Sequence, residues 1–295
     1  MRRAVVMIAF TLTLAACGST SAAGSQARAR AGMAGADYLA LGDSVTFGFR
    51  EPGTLPPPDY HDAASLVGYP ELLGAQLHLH VTNAACPGET SSSLIDPLAQ
   101  SLGCENELGN APSKPEGYRT EFPLHVHYQG SQLAFALDFL RTHGDVRLVS
   151  LMIGANDVFL CAKSTHDECA SSAEREAVVE TLSANVERIL SAIRDRAHYR
   201  GTLAIVNYYS LDYATPEDNL LSMTVDRTVD AAASSFHVVV AEGYGAFAHA
   251  AAHFGGDTCA AGLLTKLKVT GACGIHPSRA GQLLLARTLA RAIGK

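Results

Sequence analysis

Several features that other classes of protein need are missing from this 295-residue sequence. It has no run of basic residues and a formal net charge of −7, which argues against a nucleic acid as partner. Its long apolar run, residues 4–14, is too short to span a bilayer, and no second run follows. No cysteines have the Cys-x-x-Cys spacing of common zinc sites. The sequence therefore gives no reason to expect nucleic acid, a membrane-spanning helix, a metal or an organic cofactor.

The first residues have the features of an export signal. Arg2 and Arg3 precede the apolar run, which ends in Leu-Ala-Ala-Cys at residues 14–17. This motif resembles the lipobox of bacterial lipoproteins, in which the cysteine is diacylated and becomes the new N-terminus. We therefore expect residues 1–16 to be a lipoprotein signal peptide and Cys17 to be lipidated. An ordinary secretory signal with a chance cysteine is the alternative, and in both cases the mature chain is extracytoplasmic, anchored to the membrane by lipid alone or secreted.

The rest of the chain divides into a tether and one domain. Residues 17–36 are mostly Ser, Ala, Gly, Gln and Arg without periodicity, which predicts a flexible tether. Residues 37–295 have the size of one large domain. The composition is that of a globular protein, with 47% hydrophobic and 17% charged residues and no internal repeats. We expect this domain to be a monomer.

Six cysteines remain when Cys17 is set aside, and an even number in an exported chain indicates disulfides. The six can pair in many ways. Closeness in the sequence favours Cys86–Cys104, Cys161–Cys169 and Cys259–Cys273, each of which closes a short loop. A metal site is the alternative that their spacing disfavours.

Patterns of strands and helices alternate along the domain. Short apolar runs predict strands at residues 38–41, 79–83, 146–153, 203–206 and 238–241. Amphipathic patterns and helix-start signals predict helices at residues 69–78, 132–142, 173–196, 220–235 and 276–293. Two segments, 99–129 and 243–275, are predicted to be irregular. The alternation implies an α/β fold with a mainly parallel sheet covered by helices on both faces.

Four residues with chemical potential lie next to these predicted elements. Ser44 follows the first strand, Gly88 lies beyond the second, Asn156 follows the third, and His276 precedes the last helix. Open parallel sheets bind ligands at the carboxyl ends of their strands. A nucleophilic serine needs a base, which histidine supplies near neutral pH, and a glycine N–H and an asparagine amide can stabilise developing negative charge. Each residue alone could be a turn, cap or surface residue, but together they indicate a serine hydrolase.

The segments that carry these residues resemble the conserved blocks of the SGNH, or GDSL-type, hydrolase superfamily, with its secreted actinobacterial esterases and lipases. Gly-Asp-Ser-Val at 42–45 resembles the serine block, with Val where Leu is usual, and residues 83–88 resemble the glycine block. Gly-Ala-Asn-Asp at 154–157 and His-Pro at 276–277 complete the set in the family's order. The resemblance implies a three-layer α/β/α, flavodoxin-like fold with a five-stranded parallel sheet.

The same resemblance implies hydrolysis of small-molecule or lipid carboxylic esters through an acyl-enzyme. Ser44 would be the nucleophile and His276 the general base. The oxyanion hole would consist of the backbone N–H groups of Ser44 and Gly88 and the side chain of Asn156. Two alternatives stay open, because a carbohydrate deacetylase would use the same residues and an inactive binding lipoprotein would keep the same fold.

One position departs from the family, which usually has Asp three residues before the histidine. This chain has Cys273 there. A neutral group that imposes the wrong tautomer on a catalytic histidine can cost about 10⁴ in rate. Either the chain is inactive, or a backbone carbonyl accepts the ring N–H, as in some secreted actinobacterial members. Because the other four residues are kept, we expect activity, with the Cys273 carbonyl orienting His276 and the Cys259–Cys273 disulfide holding that carbonyl.

Overall fold

The computed structural model describes residues 33–105 and 117–295. The predicted signal peptide, Cys17 and most of the predicted tether lie outside these residues. In the described part, the strands are β1 (Asp37–Gly42), β2 (His80–Asn83), β3 (Val146–Met152), β4 (Thr202–Val206), β5 (Val239–Ala241), β6 (Leu264–Lys266) and β7 (Cys273–Pro277). Strands β1 to β5 form one parallel sheet in the order β2-β1-β3-β4-β5, and β6 and β7 form a small antiparallel hairpin.

Helices connect the strands and cover the sheet. They are α1 (Ser44–Phe47), α2 (Tyr69–Leu77), α3 (Ser91–Ile95), α4 (Tyr118–Glu121), α5 (Gln132–Thr142), α6 (Ala155–Ser164), α7 (Ser172–Ser191), α8 (Pro216–Ala233), α9 (Gly243–Ala251) and α10 (Arg279–Ala292). A π-helical turn, Ala192–Arg196, extends α7. Short 3₁₀ turns lie at Ala63–Ser65, Ser234–Phe236 and Ala252–Phe254. None of the described helices is long and apolar enough to cross a membrane.

The order of the strands divides the helices between the two faces. The chain steps from β1 outward to β2 through α2, then returns past β1 to β3, β4 and β5 through α5, α7 and α8. Because crossovers between parallel strands are right-handed, this reversal places α2 on the opposite face from α5, α7 and α8. Helix α10 packs against α2 and α9 on the first face, and α7 packs against α8 on the second. The predicted three-layer α/β/α fold is confirmed.

The reversal places the ends of β1 and β3 side by side. Gly42, the last residue of β1, pairs with Met152, the last residue of β3. Ser44 and Asn156, which follow these strands, therefore emerge at the same edge of the sheet. A crevice at such a point of reversal is where open α/β sheets bind ligands.

The central strands are buried on both faces. In β1 and β3, nearly every residue is buried, as the apolar runs of a covered parallel sheet require. Two polar side chains inside this core satisfy each other, because Tyr38 Oη lies 2.7 Å from Ser150 Oγ. Met33 and Ala36 also belong to the core, so the packed part of the chain begins within the segment predicted to be a tether.

Secondary structure differs from the sequence prediction mainly near the C-terminal end. The segment predicted to be irregular, 243–275, contains α9 and the β6–β7 hairpin. Two glycines weaken the helical signal of α9, but Phe247 anchors it by stacking on Tyr209 with ring centroids 4.5 Å apart. The last helix begins at Arg279 rather than at 276, because the Ser278 side chain caps it and His276 belongs to β7. Helix α6 (Ala155–Ser164) and the short helices α1, α3 and α4 were also not predicted.

All three disulfides form as the sequence spacing favoured, joining Cys86 to Cys104, Cys161 to Cys169 and Cys259 to Cys273. Two of them lie beside a glutamate, Glu89 or Glu174, and so resemble groups of metal ligands. Their sulfurs are bonded to each other and offer no thiolate to an ion.

Candidate active site

Ser44 is fixed by the junction of β1 and α1. It is the first residue of α1, and the preceding residue, Asp43, caps the helix by accepting a 2.9 Å hydrogen bond from the Val45 N–H. Gly42 adopts a φ of +146°, and a Cβ at this position would lie 2.3 Å from the Met152 carbonyl oxygen. Only glycine therefore lets β1 turn this close to β3. The serine is half-buried at a rigid junction.

His276 reaches Ser44 from the other end of the chain. Its Nε2 lies 2.9 Å from Ser44 Oγ, although the two residues are 232 positions apart. The backbone before the histidine is held by Tyr209, whose hydroxyl donates a 2.7 Å hydrogen bond to the Ile275 carbonyl. The ring also packs edge-on against Phe49, with ring centroids 5.0 Å apart. The structure thus brings together the predicted nucleophile and base.

Gln282 ties the first element of the site to the last helix. From α10, its amide nitrogen donates to the Val45 carbonyl at 2.9 Å, and its amide oxygen accepts from the Tyr69 N–H at 2.8 Å. Gln282 is buried, so these bonds fix α1, α2 and α10 relative to one another. The helix that begins with Ser44 is therefore held against α10, which starts just after the strand that carries His276.

The second ring nitrogen of His276 contacts Glu51, which the sequence analysis did not single out. Nδ1 lies 2.8 Å from Glu51 Oε1, and the same oxygen accepts hydrogen bonds from the backbone N–H groups of Ile275 (2.6 Å) and His276 (3.0 Å). The other oxygen accepts from the Thr265 hydroxyl at 2.6 Å. The expected role of the Cys273 carbonyl is therefore wrong, because a carboxylate from a distant segment occupies the position next to this nitrogen.

The surroundings of Glu51 favour its ionised form. Burial alone would raise the pKa of this carboxyl, but the hydrogen bond and charge of His276 and the hydrogen bond from Thr265 outweigh it and lower the pKa to about 2. Gly274 makes room for the group, since a Cβ there would lie 2.2 Å from Oε1. No spacing rule links Glu51 to His276. The one signal in the sequence was indirect: the family's aspartate is missing, so another group had to face the ring.

Gly88 lines the same cavity as Ser44 and His276. It has a φ of +85°, and a Cβ at this position would lie 2.7 Å from backbone atoms of Leu102 and Gly103. Glycine is therefore required for the turn after β2 to pack against this neighbouring loop. The turn brings the backbone to the edge of the cavity, as an oxyanion-hole donor needs.

Asn156 lies in the first turn of α6 and also lines the cavity. Its amide nitrogen donates a 2.9 Å hydrogen bond to the Glu89 carbonyl and lies 3.4 Å from Asp43 Oδ2. The short bond fixes the side chain next to the glycine turn. The long contact to Asp43 is weak, so that N–H can be redirected toward a ligand at little cost.

Asp43 is buried behind the serine. Burial raises the pKa of its carboxyl to about 6, although hydrogen bonds from the Tyr208 hydroxyl (2.5 Å) and from the Val45 N–H favour the ionised form. Its position as the cap of α1 accounts for these contacts. The described geometry gives it a structural role beneath Ser44 and Asn156.

A cavity of about 660 Å³ opens above these groups. Its polar floor contains Ser44, Gly88, Asn156 and His276. Most of the wall is apolar or aromatic, and it includes Phe49, Tyr60, Tyr118, Phe122, Phe159 and Leu221. The aromatic part is ordered by ring packing, since Phe49 stacks on Tyr60 with centroids 5.5 Å apart. The cavity can therefore hold a molecule with a polar reactive centre and apolar substituents.

Comparison with known proteins identifies the family to which this chain belongs. The sequence matches the GDSL-like Lipase/Acylhydrolase family over residues 40–284, and the chain belongs to this family. It is therefore a carboxylic ester hydrolase with the SGNH fold. No curated protein matches the sequence.

Several solved structures share the fold at low sequence identity. LAE5, an alpha/beta hydrolase from the metagenome of Lake Arreo, aligns with a TM-score of 0.53 at 17% identity, covering 89% of this chain and 96% of LAE5. A catalytic mutant of Axe2, an acetylxylan esterase from Geobacillus stearothermophilus, gives 0.53 at 17% over 89% and 95% of the chains. The lipase Lip_vut3 from a goat rumen metagenome gives 0.52 at 15% over 87% and 97%. At these identities the likeness shows the fold alone.

Proposed function

We propose that this chain is a serine esterase or lipase that cleaves carboxylic esters through an acyl-enzyme, with Ser44 as nucleophile and His276 as base. The observation that carries the proposal is the 2.9 Å contact between Ser44 Oγ and His276 Nε2 at the floor of the cavity. As Oγ attacks the ester carbonyl carbon, Nε2 takes the hydroxyl proton and the carbonyl π electrons move onto oxygen. When the bond to the alcohol breaks, the imidazolium returns that proton to the alcohol.

Water completes the cycle by the same steps. His276 takes a proton from water as the water oxygen attacks the acyl carbon, and then returns a proton to Ser44 as the acid leaves. The negative charge that forms on the carbonyl oxygen is stabilised by the backbone N–H groups of Ser44 and Gly88 and by the Asn156 amide. Two observations support this role: Gly88 and Asn156 line the same cavity as Ser44, and the Asn156 amide lies 3.4 Å from the carboxylate of Asp43, the residue before the serine.

The cavity wall favours esters with apolar substituents. Aromatic and aliphatic side chains dominate the lining, whereas a carbohydrate needs several polar partners around its hydroxyls. This supports an esterase or lipase over the deacetylase alternative. The reaction would be the same for both, so substrate preference has to be measured.

We also propose that the enzyme acts outside the cytoplasm, attached through lipid on Cys17 or secreted. Three disulfides in the described part of the chain are compatible with an oxidising compartment. Mass spectrometry of the mature N-terminus tests the lipid, with Cys17→Ser as the variant that cannot be modified. An unmodified N-terminus at another residue would contradict the anchor.

The test of the reaction uses p-nitrophenyl esters of graded acyl length. We expect wild type to turn over esters longer than acetate. Ser44→Ala should lose about 10⁴-fold or more in kcat, and Asn156→Ala about 10²–10³-fold, mainly in kcat because the oxyanion forms only during reaction. Ser234→Ala, at an exposed serine in a 3₁₀ turn, is the matched control.

Each contrary result has a clear meaning. Turnover retained by folded Ser44→Ala would contradict the nucleophile. Absence of turnover by wild type on every ester would favour an inactive binding protein. A strict preference for acetyl esters, extended to acetylated xylan, would favour the deacetylase.

A further inference from the structure

We infer that Glu51 is the acid of the catalytic triad in this chain and takes over the role that the family gives to an aspartate three residues before the histidine. The inference rests on the proposed roles of Ser44 and His276. The family position is Cys273, whose sulfur is bonded to Cys259 and cannot supply a charge. The triad would then run in the chain order Ser44, Glu51, His276.

The contact with Glu51 selects the tautomer that a base needs. An ionised carboxylate only accepts hydrogen bonds, so its 2.8 Å contact with His276 Nδ1 requires the proton on that nitrogen. The lone pair is then on Nε2, which faces Ser44 Oγ. A backbone carbonyl could select the same tautomer, but it carries no full charge to stabilise the imidazolium that forms during the reaction.

The carboxylate itself is held in place by several donors. Besides the ring, it accepts from two consecutive backbone N–H groups, of Ile275 and His276, and from the Thr265 hydroxyl. Both N–H groups belong to β7, the strand that also carries the His276 ring, and they hold the carboxylate next to that ring. Glu51 therefore fixes both the ring and the backbone that carries it, which a purely structural ion pair would not need to do.

The segment that carries Glu51 is attached to the hairpin that carries the histidine. The Leu55 N–H donates to the Lys266 carbonyl at 3.2 Å, and the Lys268 N–H donates to the Gly53 carbonyl at 2.8 Å. The acid and the base thus lie on neighbouring parts of one backbone network. This attachment replaces the short three-residue spacing that positions the aspartate elsewhere in the family.

Asp43 is a fully buried carboxylate directly before the serine, and its contacts assign it to a different task. Its oxygens accept from the Tyr208 hydroxyl and the Val45 N–H and lie near the Asn156 amide. Nδ1 of His276 contacts Glu51. Glu51 is therefore the positioning residue for the histidine.

The experiment compares Glu51→Gln, Glu51→Asp and Glu51→Ala with Glu180→Gln, a control at an exposed position on α7. We expect Glu51→Gln to lower kcat by about 10²–10⁴-fold with little change in KM, because a neutral amide can stabilise the wrong tautomer. Glu51→Asp keeps the charge and should retain more activity than Glu51→Gln. The control should match wild type.

Two further readouts separate positioning from a structural role. The low-field proton NMR resonance expected for an Nδ1–H bonded to a carboxylate should be present in wild type and absent in Glu51→Gln. In Glu51→Ala, whose void is lined by the same donors, added formate should restore part of kcat.

The results that would overturn the role of Glu51 differ from those that would overturn the proposed function. A folded Glu51→Gln enzyme with wild-type kcat and an unchanged low-field resonance would overturn the inference while Ser44→Ala remained inactive. If Glu51→Gln fails to fold, the test passes to Glu51→Asp and to formate rescue of Glu51→Ala. An equal loss of kcat in these two variants, without rescue by formate, would also overturn the inference. Activity in Ser44→Ala would instead contradict the proposed function itself.

Discussion

Gly274 determines whether the Glu51 carboxylate can reach the His276 ring. A Cβ at position 274 would lie 2.2 Å from Oε1 and 2.3 Å from the carboxyl carbon, so Gly274→Ala should displace the carboxylate. A displacement of about 1 Å in a catalytic group can cost about 10²-fold in rate. We therefore expect kcat to fall by about 10²-fold in Gly274→Ala, in the direction of Glu51→Gln, as measured by steady-state kinetics on a p-nitrophenyl ester.

Gly245→Ala provides the control for this substitution. Gly245 is exposed in α9, and a Cβ there would meet no atom within 4 Å. Alanine should leave kcat unchanged and raise helix stability by about 0.5–1 kcal/mol. Wild-type kcat in Gly274→Ala, with a folded protein, would show that the carboxylate has room to move without loss of function.

At the scale of single residues, the sequence predicted those residues of the candidate site that lie in short sequence motifs. Ser44, Gly88, Asn156 and His276 each lie in a short block, and the structure places all four around one cavity. Glu51 could not be predicted in this way. It contacts His276 across 225 positions, from an irregular segment that has no periodic pattern, so only the folded backbone brings the two together.

At the scale of elements, the strands of the large sheet were predicted because burial on both faces leaves continuous apolar runs in the sequence. The β6–β7 hairpin leaves no such signal. Its strands span only Leu264–Lys266 and Cys273–Pro277, and the second contains a glycine and ends in proline. These strands exist because they pair with each other and because Glu51 binds the second one. The strand that carries His276, the proposed base, was therefore the one that the local sequence pattern predicted least well.

The Cys259–Cys273 disulfide fixes the start of β7, two residues before the backbone that Glu51 holds. Replacing both cysteines by serine opens a loop of 14 residues, which should reduce the free energy of unfolding by about 3 kcal/mol. We expect kcat of the folded variant to stay within a few-fold of wild type, because Glu51 and Tyr209 still hold Ile275. Urea unfolding and kinetics at a temperature where the variant is folded measure the two effects.

The Cys161–Cys169 pair is the matched control, because it closes a loop of 8 residues on the α6 side of the molecule. Its double serine variant should also lose stability while keeping kcat. A much larger loss of kcat in the Cys259–Cys273 variant than in this control would show that the disulfide, and not Glu51 alone, positions the histidine.

At the scale of the whole molecule, several carboxyl groups are buried where the loss of hydration outweighs the hydrogen bonds that favour their charge. Burial raises the pKa of Asp43 and Asp157 to about 6, against hydrogen bonds that lower it. Burial, with the nearby charges of Asp230 and Glu242, raises the pKa of Asp226 to about 7, although its carboxylate accepts a hydrogen bond from the Tyr208 N–H. The fold tolerates these acids beneath the site at a cost in stability.

The sign of the pH effect follows from these shifts. A carboxyl with a raised pKa binds more protons when folded than when unfolded, so stability falls as pH rises from its unfolded value near 4 through its folded value. Glu51 acts in the opposite direction, but its contribution is complete above its unfolded pKa and is lost only as pH falls toward 2. We therefore expect the protein to be most stable near pH 4 and to lose stability as pH rises from about 4 to about 7.

Asp226 should account for much of the loss at the upper end of this range, because its pKa is raised to about 7. Asp226→Asn keeps the oxygen that accepts from the Tyr208 N–H and removes the buried charge near Asp230 and Glu242. We expect its melting temperature to exceed that of wild type at about pH 8 and to approach it near pH 4, where Asp226 is protonated in the folded chain and largely protonated in the unfolded chain as well. Asp138→Asn, at an exposed ion pair with Arg141, should leave the wild-type pH dependence unchanged. Calorimetric scans measure both melting temperatures. If the two decline in parallel between these pH values, Asp226 stays ionised in the fold and another group sets the pH dependence.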